Sequence, residues 1–157
     1  MLGRIFSTDH KVIGKQYYFL SLVSVMIGLV LSVFMRFHLI YPDKKVKLFE
    51  LLWPTGAAGG IMTPELYLSI MTMHGTLMVF FVLTTVPQGG FGNFFLPIQI
   101  GAADMAFPRL NMLSFWTTLA ALLVLLGAFF VPGGAPLGGW TAYPPLSAVG
   151  QIAGPRS

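Results

Sequence analysis

Cysteine is absent from all 157 residues, which excludes disulfides, zinc-thiolate sites, iron-sulfur clusters and thiol nucleophiles. A metal held here must take imidazole or oxygen ligands. Charge is scarce as well: 9% of the residues are charged, against about 25% in an ordinary soluble domain. Apart from Arg36, the nine Lys and Arg behind the net charge of +4 stand outside the long apolar runs or at their ends, where they read as membrane-interface anchors. No aromatic-interleaved basic cluster is present, so a nucleic-acid partner is not expected. What is abundant is apolar, 55% of residues with a mean hydropathy of +0.78, and such a chain belongs in a lipid bilayer. The polar start, Met1 to Gln16, does not read as a signal peptide. The apolar run after it is too long for a signal core, and no small-residue cleavage site ends it.

Three apolar runs predict an all-α integral membrane protein, a single membrane domain over 1–157 with spans at about 12–40, 64–98 and 108–131. Ser7-Thr8-Asp9 offers capping oxygens before the first span. Aromatic residues Tyr17, Tyr18 and Phe19 at one end, with Arg36, His38 and Tyr41 at the other, resemble headgroup-level girdles. Tyr41-Pro42-Asp43 stops that span. The second starts at Thr63-Pro64-Glu65: a capping hydroxyl, a proline at the first helical position and an acid at the positive end of the helix dipole. Straight from Pro64 to Ile98 it would measure about 50 Å against a hydrocarbon core of ~30 Å. A kink at Pro87 and Gly89-Gly90 is therefore expected, with the glycines also permitting close packing. Pro108 opens the third span, and Pro132-Gly133-Gly134 ends it. Three spans place the termini on opposite sides, but the positive-inside count is tied: Arg4, Lys11, Lys15 and Arg109 face Lys44, Lys45, Lys47 and Arg156.

His74 is the residue around which function gathers. It follows Pro64 by ten residues, or roughly 15 Å of helix, which is near the bilayer centre. An ionisable group at that depth marks a functional site by default. Tyr67, Met71, Met78 and Phe81, at −7, −3, +4 and +7, share its face on an α-helix and would suit a porphyrin edge, although ordinary helix packing gives the same stripe. Arg36 lies some 7–8 Å inside the end of span one. It can reach toward the depth of His74 or snorkel to the headgroups. Ser32, four residues earlier, shares its face. His38 and His10 sit too near the span ends to pair with His74 on one iron, so a second axial imidazole would have to come from a helix outside this sequence. Asn93, Asp104 and Asn111 gather around the loop that joins spans two and three. Carboxamides there can hold water leading from an acid, and Asp104 can equally be a solvated loop acid. Trp140 and Tyr143 are by default interface aromatics.

Taken together and in order, Phe6-Ser7-Thr8-Asp9-His10-Lys11-Val12-Ile13-Gly14, Met73-His74-Gly75-Thr76-Leu77-Met78-Val79-Phe80-Phe81, Gly89-Gly90-Phe91-Gly92-Asn93, the run Gly101 to Asn111, Ser114-Phe115-Trp116 and Gly139-Trp140-Thr141-Ala142-Tyr143-Pro144-Pro145 resemble subunit I of the haem-copper terminal oxidases. The resemblance covers about residues 4 to 150 and implies the first three helices, or first quarter, of a bundle of about a dozen. It implies that His74 is an axial ligand of the low-spin haem iron, that Arg36 bonds the formyl group of a haem of the a type, and that Ser32 and Met78 line the same pocket. A haem of the b type is the alternative. Asp104 is implied to take up protons on the cytoplasmic side, with Asn93 and Asn111 holding the first waters, and Trp140 to donate its indole N–H to a haem propionate. The amino terminus is implied to be cytoplasmic, in a bacterial inner membrane.

The family's high-spin haem, its copper and their ligands lie in later helices, so catalysis is expected only with the remaining helices of subunit I and the other oxidase subunits. The expected activity is that of a proton-pumping cytochrome c oxidase. A quinol-fed oxidase is the nearest alternative, and a non-catalytic three-span scaffold the more distant one. Two departures stand out. His38 replaces a glutamate that in relatives helps hold a structural calcium or sodium ion, and Met112 replaces a second asparagine after Asn111.

Overall fold

The computed structural model describes residues 5–131 and 135–149. Arg4 and Arg156 from the positive-inside count, and Pro132-Gly133-Gly134 at the expected stop of span three, lie outside them. Among the described residues all regular structure is helical. Helix α1 is His10–Ile40, α2 is Lys47–Leu52, and α3 is Pro64–Thr76, continuing through π-helical turns over Leu77–Phe91 and an α-turn at Gly92–Phe94. Helix α4 is Leu96–Gln99, α5 is Pro108–Gly127 with a 3-10 turn at Ala128–Phe130, and α6 is Leu146–Val149. Three stretches, His10–Ile40, Pro64–Phe94 and Pro108–Phe130, are long and apolar enough to cross a membrane.

Local chemistry accounts for the starts. At α1 the Asp9 carboxylate accepts the N–H groups of Lys11 and Val12 at 2.7 and 3.2 Å, taking up two of the four donors a helix start leaves over. Burial pushes the Asp9 pKa up, but the two backbone N–H groups and the charges of His10 and Lys11 outweigh it, and the carboxyl is held below its ordinary 3.8. At α3 the Thr63 hydroxyl accepts the N–H of Leu66 at 3.2 Å, with Pro64 next to it. The second span ends earlier than its apolar run. Pro97 has no N–H to give the Asn93 carbonyl four residues back, and the regular helix is interrupted at Phe95 before α4.

The expected kink at Pro87 takes another form. The turns widen from Leu77, ten residues ahead of the proline, and stay wide to Phe91. Thr76, Thr117 and Thr118 each donate to the carbonyl four residues back. Thr84 and Thr85 instead donate five residues back, to Val79 and Phe80, which is the spacing of a π-helical turn.

The chain divides into two compact units, residues 1–26 with 78–124 and residues 27–77 with 125–157. In the first, Ile13, Tyr17, Leu20, Phe81, Phe115 and Leu122 are buried. Tyr17 is no headgroup aromatic: it is 4% exposed, donates to Ser114 Oγ at 3.0 Å and packs edge-on against Phe115. Gly89 makes room for it, since a Cβ there would come within 2.6 Å of the Tyr17 ring, and one on Gly90 within 2.8 Å of the Tyr18 ring. In the second unit the core is Leu31, Phe49, Leu66, Ile70, Met73 and Leu77. Phe34 and Phe37 pack on Phe49, which seats α2, and α3 holds the tail through its hydroxyls. Ser69 Oγ donates to Ala135 O, and Thr72 Oγ1 accepts the Gly139 N–H, both at 2.9 Å.

Candidate functional site

His74 lies in the last turn of α3 and is half-buried. Its Nδ1 is 2.9 Å from the carbonyl oxygen of Gly28 in α1. A carbonyl only accepts, so Nδ1 carries the hydrogen, and the Nε2 lone pair is the one a metal could take. Ring nitrogens that ligate metal are characteristically fixed in this way, the other nitrogen donating to a carboxylate or backbone carbonyl. Gly28, Ser32 and Arg36 fall at i, i+4 and i+8 of α1, hence on one face. The carbonyl that orients His74 therefore shares a face with two residues predicted for the same pocket. Ser32 is half-buried and Arg36 exposed. Trp140 lies on the other flank: its Cδ1 would be 3.4 Å from a Cβ placed on Gly75, so the bare glycine beside His74 is what the indole rests against. Tyr67, one of the predicted stripe, is taken up by His38, the ring centroids being 5.6 Å apart.

The rest of that stripe does not run on as α-helical spacing implies. From Leu77 each turn takes nearly one residue more, so an offset of +7 no longer returns to the same face. Phe81 is buried and lines a cavity within the first unit. Met78, the other predicted pocket residue on this segment, is half-buried and belongs to that unit too.

The cavity in the first unit measures about 740 Å³ and is lined by Tyr17, Thr84, Thr85, Asn93, Asn111 and Ser114, among others. Asn93 is 5% exposed, and its Nδ2 donates to Gly89 O at 2.6 Å. That bond leaves Oδ1 as the group without a partner, and Asn111 Nδ2 is likewise buried and unpartnered. Both residues border the same cavity, whose wall is more apolar than polar, and an unmet buried polar atom costs about 1–3 kcal/mol. Asp104, the third member predicted here, is exposed in the loop and accepts the Met105 N–H at 2.7 Å. It does not line the cavity; its neighbour Met105 does.

Sequence reasoning passed over several of these residues. Tyr17 reads as a girdle aromatic, and His10 as too near the span end to pair with His74 on one iron. Yet His10 is 3% exposed and bonded to the Asn93 carbonyl at 2.8 Å. Among the described residues no three His, Asp or Glu side chains form a group that could hold a metal ion.

Residues 12–156 match the family described as Cytochrome C and Quinol oxidase polypeptide I. The chain is similar to the alternative cytochrome c oxidase subunit 1 of Bradyrhizobium diazoefficiens, at 41% identity over 150 residues that cover 96% of this chain and 23% of that protein. It is also similar to the cytochrome c oxidase subunit 1 of Thermostichus vulcanus, 42% identical over 144 residues covering 92% and 23%. To that of Cereibacter sphaeroides it is 40% identical over 157 residues covering 90% and 28%. The chain spans about a quarter of the length of these relatives.

Proposed function

Because this chain belongs to the Cytochrome C and Quinol oxidase polypeptide I family, we propose that it is part of a respiratory oxidase core in which cytochrome c gives up electrons, oxygen becomes water and protons are pumped. In this reading His74 is one axial ligand of a low-spin haem of the a type, and the loop at Asp104 takes up protons from the cytoplasm of a bacterial cell. The observation that carries it is the Nδ1–H bond from His74 to the Gly28 carbonyl. That bond sets the tautomer, points the free nitrogen away from α1's backbone and raises its basicity as a ligand.

The residues present fit such a group. The half-buried imidazole has its second nitrogen free of the Gly28 bond, Ser32 and Arg36 lie along the face that orients it, and the indole of Trp140 rests beside it on Gly75. When bound, the haem supplies one-electron redox chemistry. His74 would ligate the iron, Arg36 would offer its guanidinium to the haem's formyl group, and the Trp140 N–H would donate to a propionate. Ser32 would line the same pocket. The second histidine, the high-spin haem and the copper belong to the remaining helices of the subunit.

Proton uptake falls to the other unit. Asp104 gathers protons at the loop, and the Asn93 and Asn111 carboxamides orient water in the cavity behind Met105. With the amino terminus cytoplasmic, the loop between spans two and three lies on the cytoplasmic side, where protons are taken up. The family description also covers quinol oxidases, but the relatives named above are cytochrome c oxidases and favour cytochrome c as donor.

His74→Ala in the complete subunit, assembled with its partners, tests the ligand assignment. The low-spin haem band should disappear from the reduced spectrum while the other subunits still co-purify. A band of wild-type position and intensity in that variant would overturn it.

A further inference from the structure

A histidine at the first residue of a membrane-spanning helix, between Asp9 and Lys11, would ordinarily be solvated. His10 is instead 3% exposed, and its Nδ1 meets the backbone oxygen of Asn93, 83 residues away, at 2.8 Å. A polar ring taken out of water costs free energy unless it is bonded, and here the bond goes to a cavity-lining residue whose side-chain oxygen is buried without a partner. Asn93 is held twice. Its main chain is tied to α1 through His10, and its side chain to Gly89 through Nδ2. Beside these two bonds, the side-chain Oδ1 is left as a buried acceptor without a partner.

We infer that His10 is a positioning residue for proton uptake: by holding the Asn93 carbonyl it fixes the direction in which the Asn93 carboxamide offers its oxygen to water in the cavity. This role rests on the proton-uptake reading above. The imidazole need not change protonation for it, since the donor at Nδ1 is present in the neutral ring as well as the charged one. Loss of that donor frees the main chain at Asn93, and the share of molecules with Oδ1 correctly aimed falls.

The test uses the complete oxidase with His10→Leu, His10→Asn, His10→Gln and Asn93→Leu. Proton uptake per haem is followed with a pH-indicator dye after an oxygen pulse, alongside the haem spectrum. His10→Leu should slow uptake by about two- to tenfold, the population change that one lost hydrogen bond allows, with haem content and spectrum unchanged. Asparagine carries its amide nitrogen as many bonds from Cα as the Nδ1 of histidine, so His10→Asn should recover most of the rate, whereas His10→Gln, whose amide lies one bond farther, should not. If His10→Leu fails to assemble, the Asn and Gln pair still decides the matter. Wild-type uptake in His10→Leu or His10→Gln beside slow uptake in Asn93→Leu overturns the role of His10 alone. Equal slowing by Asn and Gln, with haem lost, marks a purely structural histidine and overturns it as well. Wild-type uptake in Asn93→Leu overturns the pathway itself.

Discussion

Gly89→Ala adds one methyl group to the helix that carries His74, and the structure says what that methyl meets. A Cβ at this position would lie 2.6 Å from Cδ1, 2.7 Å from Cγ and 3.0 Å from Cε1 of Tyr17, where carbon atoms prefer about 3.5–4.0 Å. The ring has to withdraw by about 1 Å. Tyr17 is 4% exposed, packs against Phe115 and donates to Ser114 Oγ at 3.0 Å, so the withdrawal breaks that bond. Overpacking costs about 1–3 kcal/mol and the lost hydrogen bond about 0.5–1.5, against a gain in helix propensity of at most about 1 kcal/mol. The net is a destabilisation of about 1–3 kcal/mol. Gly127→Ala is the control, because a Cβ there meets nothing within 4 Å and only the propensity gain remains. Thermal melting of the purified oxidase carrying each variant should show Gly89→Ala below wild type and Gly127→Ala at or above it. Equal melting of the two would refute the idea that the glycine exists to admit the Tyr17 ring.

Other substitutions probe the remaining assignments. Arg36→Met should shift the low-spin haem's absorption and potential; a spectrum and potential identical to wild type would take Arg36 out of the pocket. Asp104→Asn should slow turnover and proton uptake together, and unchanged rate and stoichiometry would remove it from the pathway. Asp9→Ala should cost about 0.5–2 kcal/mol at neutral pH by unmaking the cap of α1. Since the folded-state pKa of Asp9 lies below 3.8, the wild-type advantage is full above that value and fades as pH falls through the folded pKa. Melting curves at neutral and acidic pH check the sign, and an advantage that grows in acid would contradict it.

What could be read from the residues alone followed the range of the forces involved. Thr63-Pro64-Glu65 and Asp9 announced helix starts because a cap is closed by atoms two or three residues away. His74 announced itself because no Asp, Glu, Lys or Arg stands between Glu65 and Asp104 in the apolar run around it. Its partner did not, since the carbonyl of Gly28 is the same group every residue carries. The π-helical turns were equally silent: the composition from Leu77 to Phe91 reads as one apolar helix, and Pro87 drew the eye to a kink when the widening begins ten residues earlier. The burial of Tyr17 and of His10 went unannounced for a common reason. Aromatic and polar side chains near the end of a span are usually wet, and only a partner some seventy or eighty residues distant, Gly89 for the one and Asn93 for the other, takes them out of water.

The hydroxyls of Ser69 and Thr72 have a practical bearing on where this polypeptide can be shortened. The stretch Ala135 to Gly139 has no repeating hydrogen-bond pattern of its own; its backbone is moored to side chains of α3 at Ala135 O and Gly139 N. Trimming the chain ahead of Ala135 would strand two hydroxyls in a dry interior and strip the indole from its seat on Gly75. Anyone preparing a minimal version of these three helices should carry it past Trp140, or replace Ser69 and Thr72 with alanine when cutting earlier.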